Sequence, residues 1–371
     1  MGRLSAYANW ISRVIAEAFD DPKVLARVVF AYFLILSVVY GVRFVDIAED
    51  VIMWRDVSAA ALPAPHQYQI FTPLPIIIGH YLVPYNAPSV AIAYVLIGLL
   101  GVFGSMAVVW RSEQGLRRAI YVFFLLGAHV FYHIYSWLGV PDGFIVFFYV
   151  CAYFTRRNIP LSALLLTCAF LTHPTQGLIL LCVHAGFSWL EGHGKPGRYN
   201  GVIATVLALA AGYGLNELYI QTFHLTAAMG RIDWMESNVL LILASIYRNP
   251  LISAYAAYAL VWIAIIARAV QPGNLRYAAL VLLPLAGSFG TDVTRLMVIL
   301  GMPTILFTAD YFASQKAEET KAFIIKYAPI LVPLSLVFYQ VTEGGNVSSI
   351  NWVFWLWEAA GAPTDLRPVG P

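Results

Sequence analysis

Charged side chains are scarce in this sequence, and that scarcity restricts the folds open to it. Only 11% of the 371 residues are charged, 60% are hydrophobic, and the net charge is +2. A soluble globular domain carries about 25% charged residues. The composition therefore argues against an ordinary soluble enzyme and a disordered chain, and it provides no basic field for nucleic acid. It predicts an integral, multi-pass membrane protein.

Apolar stretches of helical length predict an all-α fold, a polytopic transmembrane bundle of about 10–11 spans. The predicted spans are 28–44, 88–110, 119–138, 142–155, 160–172, 176–190, 200–221, 251–270, 275–290, 294–311 and 323–341. Several are shorter than the roughly 20 residues that a full crossing needs, so short or broken helices are expected. The pair around His173-Pro174 predicts either two tilted short helices or a helical hairpin.

The chain is interpreted as one membrane domain over residues 1–371, because no internal repeat or low-complexity tract divides it. Residues 1–27 predict an amphipathic helix on the cytoplasmic side of the membrane. Residues 45–87 form the first predicted outer loop, and residues 342–371 form an outer C-terminal segment with several tryptophans. The three cysteines of the chain all lie in apolar stretches, so no disulfide or zinc framework is predicted.

Basic residues set the predicted orientation. With the N-terminus cytoplasmic, 16 of the 22 Lys and Arg residues fall on the inner side, as the positive-inside rule requires. The inner residues are Arg3, Arg13, Lys23, Arg27, Arg111, Arg117, Arg118, Arg156, Arg157, Lys195, Arg198, Arg268, Arg276, Lys316, Lys321 and Lys326. The C-terminus is then outside, and the longer loops face outward. A bacterial inner membrane is the expected location.

The first outer loop concentrates acidic side chains. Asp46, Glu49 and Asp50 would share one face of a helix, where like charges repel unless a proton, a cation or a substrate compensates them. Two interpretations stay open: a solvated acidic turn, or a carboxylate that acts as general base on an acceptor hydroxyl. A divalent cation on these acids is possible but not indicated, so no cofactor and no metal site are predicted.

A second polar group follows the third predicted span. His129, His133 and Asp142 fall near its outer end, and Asp142 follows Pro141 at the predicted start of a helix. Asp142 is therefore interpreted either as a helix N-terminal acid or as a substrate ligand. The two histidines lie four residues apart, a spacing that can bind metal. Hydrogen-bonded structure is the commoner role of such a pair.

Two further places carry costly polar groups in apolar surroundings. His173 lies at a proline break between two short segments, where it either satisfies the backbone or contacts substrate. Asp292 and Arg295 lie three residues apart at the outer end of a span. They either pair with each other or leave Arg295 to neutralise a phosphate. The glycines of the run GLLGVFG, at 98–104, predict close helix packing.

These segments together resemble the GT-C superfamily, the multi-pass glycosyltransferases that use lipid-linked sugar donors. The resemblance covers most of residues 28–311 through short motifs. These are Phe71-Thr72-Pro73-Leu74-Pro75 after the acidic loop, Pro141-Asp142, Arg156-Arg157, His173-Pro174, and Arg295 with Pro303. The chain departs from the family pattern at His173, where relatives often carry arginine. That departure shifts the expected donor-phosphate contact towards Arg295.

The resemblance implies an inverting transfer of sugar from a polyprenyl-phosphate donor to a lipid or glycan acceptor at the outer face. It implies a catalytic carboxylate at Asp50 or Asp46, with Glu49 beside them. His173, Arg295, Asp142, Asp292 and His133 are the predicted substrate-binding residues. The expected partners are the donor, the acceptor and membrane lipid. The alternative function is a membrane transporter or lipid flippase, which also uses broken helices and buried charges.

Overall fold

The computed structural model describes most of the chain between residues 2 and 348. The described ranges are 2–40, 55, 72–136, 141–192, 197, 199–225, 239–240, 255, 258–271, 276–282, 297, 299–337, 340–341 and 347–348. Within them, regular structure is helical except for one short antiparallel pair, β1 (Gln340–Val341) with β2 (Val347–Ser348). The predicted all-α class is thus confirmed for the described chain.

The first half of the chain forms helices at the predicted apolar stretches. They are α1 (Gly2–Asp20), α2 (Pro22–Ile35), α3 (Pro73–Leu82), α4 (Ala87–Ser112), α5 (Gly115–Gly127), α6 (Val130–Ser136) and α7 (Asp142–Phe154). Helix α2 continues as a π-helical turn to Tyr40. Helix α3 was not predicted, because the prolines of its first turn read as a loop. Proline is nevertheless well suited to the first turn of a helix.

The second half of the chain is also helical. Its helices are α8 (Ile159–Thr172), α9 (Pro174–Glu191), α10 (Asn200–Thr222), α11 (Val261–Ala269), α12 (Arg276–Leu282), α13 (Met302–Gln315) and α14 (Ala317–Ser335). Helices α8 and α9 meet at His173 and pack against each other and against α10. Of the two predictions for this pair, the helical hairpin is correct.

The N-terminal helix is amphipathic as predicted, and its apolar face packs on the bundle. Ile11, Ile15 and Phe19 are buried, and the rings of Phe19 and Phe123 lie 5.0 Å apart, which joins α1 to α5. At the same face the Ser12 hydroxyl donates a hydrogen bond to a carbonyl oxygen of α14 at 3.0 Å. Helix α1 is therefore part of the helical core.

Recurrent capping explains where several helices begin. Asp21, Asn86 and Asn158 each precede a helix with proline in its first two positions. Each side chain accepts a backbone N–H from the first turn, at 2.7, 2.9 and 3.2 Å respectively. Such caps satisfy amides that have no partner inside the helix.

A glycine contact joins α4 to α7. Helix α4 contains a π-helical turn over Leu100–Gly104, and there the two backbones approach so closely that no side chain fits. A Cβ on Gly101 would lie 2.5 Å from the Gly143 Cα, and a Cβ on Gly143 would lie 2.2 Å from the Ile97 carbonyl oxygen. The predicted packing role of the GLLGVFG glycines is confirmed by this geometry.

Ion pairs gather where many of the helices start or end together. Arg117 at the start of α5 and Arg156 after α7 both bind Asp310 of α13, each at 2.9 Å. Arg268 of α11 pairs with Glu191 at the end of α9. We call this region, defined by these five residues, the ionic end of the bundle. Each of its arginines belongs to the predicted inner set.

Two of the described helices are long and apolar enough to cross a membrane. They are Ala87–Ser112, with a mean hydropathy of 2.3, and Asn200–Thr222, with a mean hydropathy of 1.4. Shorter apolar helices include α3, α7 and α8.

The glycine contact yields a stability prediction. Gly143→Ala forces α4 and α7 apart and should cost about 1–3 kcal/mol of unfolding free energy. Gly214→Ala is the matched control, because a Cβ at that helical position meets nothing within 4 Å. The control should gain up to about 1 kcal/mol from helix propensity. Thermal unfolding in detergent measures both, and equal melting temperatures for the two variants would contradict the contact.

Candidate functional site

The structure describes three of the residues predicted to bind substrate, namely His133, Asp142 and His173. The other predicted site residues lie outside the described residues; they are Asp46, Glu49, Asp50, Asp292 and Arg295. The geometry therefore bears on one side of the predicted site, the part built by α6, α7 and the α8–α9 hairpin.

Asp142 is the first residue of α7 and directly follows the N-cap position, held by Pro141. It is only 3% exposed, and its neighbour Gly143 makes the close contact with α4. A carboxylate in this position faces the positive end of the helix dipole. The helix N-terminal interpretation of Asp142 is thus confirmed, and the glycine contact fixes the place of its backbone.

His173 sits in the one-residue turn of the hairpin. Its backbone is extended (φ −157°, ψ 93°), and its Nδ1 accepts the backbone N–H of Gln176 at 3.5 Å, which makes it the N-cap of α9. Its carbonyl oxygen accepts the N–H of Gly177 at 2.7 Å. A structural role for His173 at the proline break is therefore present. Its imidazole is only half-buried, so contact with a ligand stays open to it.

Gln176 was missed from the sequence, yet it is the most unusual polar group of the hairpin. It is 5% exposed, and no described residue donates a hydrogen bond to its Oε1. A buried acceptor without a donor costs free energy. The available signal was its position three residues after the cap, where glutamine commonly reaches back to the turn.

The two histidines after α5 lie at a helix break. His129 has a positive φ of 57°, in the turn that separates α5 from α6. The His133 N–H donates to the His129 carbonyl at 3.2 Å, and both side chains are almost fully buried. The span predicted over 119–138 is therefore not one continuous helix, because the left-handed residue His129 separates α5 from α6. In the described ranges, no three His, Cys, Asp or Glu side chains gather as a metal site would require.

Chain direction puts the described site residues at the end opposite the ionic end. Helix α7 runs from Asp142 to Phe154, beside Arg156, a rise of about 18 Å. Helix α8 starts after Arg156 and runs back to His173. We call the end that holds Asp142 and His173 the site end.

The charges of the ionic end are held away from the site end. Arg117 binds Glu113 through two hydrogen bonds, at 2.7 and 3.2 Å. Those bonds are the main cause that raises the pKa of the Arg117 guanidinium above its ordinary value. Arg156 also lies 4.2 Å from the centroid of the Tyr153 ring. These arginines therefore stay charged and engaged in helix packing, which leaves the site end without them.

A second polar group that the sequence did not reveal lies inside the bundle. His184 of α9 is fully buried; its Nδ1 lies 3.1 Å from the Tyr149 hydroxyl and its Nε2 lies 3.4 Å from the Ser188 hydroxyl. A Cβ on Gly201 would lie 2.2 Å from the Ser188 oxygen, so α10 closes over this group. Both imidazole nitrogens have partners, as expected of a structural core histidine.

Comparisons with known proteins give no relative. No family description, no curated protein and no solved structure matches this chain.

The capping role of His173 gives a second prediction. His173→Ala removes the cap and should lower the unfolding free energy by about 0.5–1 kcal/mol. His173→Asn should restore most of it, because asparagine is a good N-cap. Thermal unfolding of the two variants in one detergent measures the difference. If His173→Asn proves no more stable than His173→Ala, the side chain does not act as the cap.

Proposed function

We propose that this protein is a membrane-embedded glycosyltransferase of the GT-C type, which moves a sugar from a polyprenyl-phosphate donor to a lipid or glycan acceptor. The observation that carries the proposal is the separation of polar groups within the bundle. Ion pairs join helices at the ionic end. At the opposite end lie a buried carboxylate, Asp142, and the hairpin break with His173 and Gln176, and we propose these side chains as ligand contacts.

Placement in a membrane is supported by the outer surface of the helices. Large apolar side chains are well exposed on many of the described helices, and 60% or more of the side chain is exposed at Phe30, Leu96 and Leu164. Leu207 and Ile330 continue this apolar surface on α10 and α14. Such a surface is unfavourable in water and suited to lipid. We propose a multi-pass topology with the ionic end on the cytoplasmic side and a bacterial inner membrane as the location.

The proposed reaction is an inverting displacement. A first-loop carboxylate, Asp50 or Asp46 with Glu49 nearby, accepts the proton of the acceptor hydroxyl. The acceptor oxygen attacks the anomeric carbon from the face opposite the phosphate. As that bond forms, the bond from the anomeric carbon to the phosphate oxygen breaks, and its electron pair stays on the lipid phosphate. No covalent enzyme intermediate is required.

The remaining predicted residues have binding roles in this proposal. Arg295 and His173 contact the donor phosphate, and a guanidinium suits that charge. Asp142, Asp292 and His133 contact hydroxyl groups of the sugar or the acceptor. Gln176 joins this group, because a sugar hydroxyl would supply the donor that its Oε1 lacks among the described residues.

The proposal is tested by sugar transfer in the purified protein. Asp50→Asn and Asp46→Asn each keep the side-chain volume and remove the base, so at least one should lose about 10²–10⁴-fold of the rate. Glu318→Gln, an exposed acid at the start of α14 on the ionic end, is the matched control and should transfer at the wild-type rate. Full activity in both aspartate variants would overturn the assignment of the base.

The His173 variants separate capping from ligand binding. If His173 contacts the donor phosphate, His173→Asn should fold like the wild type and still bind donor about tenfold less tightly. Titration of donor into each variant measures this. If His173→Asn has both the stability and the donor affinity of the wild type, His173 acts only as a helix cap.

The alternative is a transporter or lipid flippase. The break between α5 and α6 at His129 and the hairpin break at His173 are features that such proteins share. Counterflow of labelled lipid in liposomes, with no sugar transfer, would favour it.

A further inference from the structure

A large apolar groove runs along the side of the bundle, and its lining includes neither Asp142 nor His173. It has a volume of about 940 Å³ and lies between α1, α2, α5, α11 and α14. That volume is near the upper limit of cavities that hold drug-sized ligands. Its walls are apolar, with Ile11, Phe124 and Val332 among them, and exposed side chains such as Trp10 line it where it meets the surroundings.

Charge is confined to one end of this groove. Lys316 and Glu319, at the start of α14, line the groove beside the ionic end, and their side chains form an ion pair at 3.1 Å. From Lys316 the groove follows α14 to Leu336, a rise of about 30 Å. The other end has Ser335, whose hydroxyl donates to the Val332 carbonyl at 2.8 Å. A ligand that matches this wall is an amphiphile with its headgroup at Lys316.

We propose that the groove is a binding site for a zwitterionic phospholipid of the inner leaflet, with an acyl chain along α14 and the headgroup at Lys316 and Glu319. An exposed ion pair has little net stability, so the two partners are easily exchanged. The lipid phosphate replaces Glu319 as the partner of Lys316, and the ammonium of the headgroup replaces Lys316 as the partner of Glu319. This inference rests on the membrane placement in the proposed function.

The charged end of the groove and the proposed donor phosphate lie at opposite ends of the bundle, so the phospholipid and the sugar donor have different sites. The donor phosphate in the proposed reaction lies at the site end, near His173, whereas the charged end of the groove lies beside the ionic end. A lipid bound here holds α1 against α14 and α5, because all three helices line the groove. Its role is thus to stabilise the N-terminal helix on the bundle.

The test uses the full chain in detergent and native mass spectrometry. The probes are phosphatidylethanolamine and a diacylglycerol with the same acyl chains. We expect one phosphatidylethanolamine per chain and about tenfold weaker binding of diacylglycerol. Lys316→Gln should weaken the binding of phosphatidylethanolamine and leave the binding of diacylglycerol unchanged. Equal affinity for the two probes would overturn the headgroup assignment.

Two neighbouring positions on α11 provide a matched pair of variants. Ala267 lines the groove, so the indole of Ala267→Trp fills it and should lower the affinity for phosphatidylethanolamine about tenfold. Ile266 is 55% exposed and does not line the groove, so Ile266→Trp should bind like the wild type. Ala264→Leu, a milder change in the same wall, serves if Ala267→Trp does not fold. Wild-type affinity in the groove-filling variant would overturn the site.

Other occupants have recognisable outcomes, each of which would overturn the proposal. Polyprenyl phosphate that displaces phosphatidylethanolamine would assign the groove to the donor. A dimer that Ala267→Trp abolishes would assign it to a second copy of the chain. None of these readouts uses sugar transfer. The phospholipid proposal can therefore fail while transfer succeeds, and it can stand if the first-loop aspartates prove dispensable.

Discussion

The fold depends on one constraint, that each interruption of a helix must satisfy its backbone groups locally. In a chain this apolar, an amide or carbonyl without a partner is expensive. Asn86 and Asn158 meet the constraint with side-chain caps ahead of proline-containing first turns. His173 does the same between α8 and α9 with an imidazole nitrogen. The break at the hairpin is therefore a stable feature of the fold, and it presents a polar side chain to any ligand at the site end.

Close packing then decides where those polar groups lie. Gly101 and Gly143 let α4 and α7 meet backbone to backbone, which places Asp142 at the start of α7 beside the contact. Gly177 has the same effect in the hairpin, since its Cβ would lie 2.5 Å from the Phe170 Cα. Residues without side chains thus set the positions of the two candidate ligands, Asp142 and His173, because any larger residue would separate the helices that hold them.

The sequence allowed most helices to be predicted because their signals are local. Apolar runs bounded by asparagine, proline and glycine gave α4, α8 and α10 nearly to the residue. What escaped prediction depends on tertiary contacts. The span predicted over 119–138 is split at the left-handed residue His129, and the partners of His184 are visible only once α7 and α9 pack. Whether the first-loop acids meet Asp142 and His173 stays a prediction, since those acids lie outside the described residues.

The ionic end of the bundle holds helices together, whereas the proposed ligand contacts lie at the site end. At the ionic end Asp310 of α13 binds both Arg117 and Arg156, so one carboxylate joins the start of α5 to the turn after α7. Because these arginines already donate hydrogen bonds to carboxylates, they are poorly placed to bind a substrate. Asp142 lies about 18 Å along α7 from that end, which is farther than an arginine side chain of the ionic end can reach. A phosphate at the site end would therefore depend on charges supplied there, and for that reason Arg295, rather than any arginine of the ionic end, is the residue on which the proposed donor site rests.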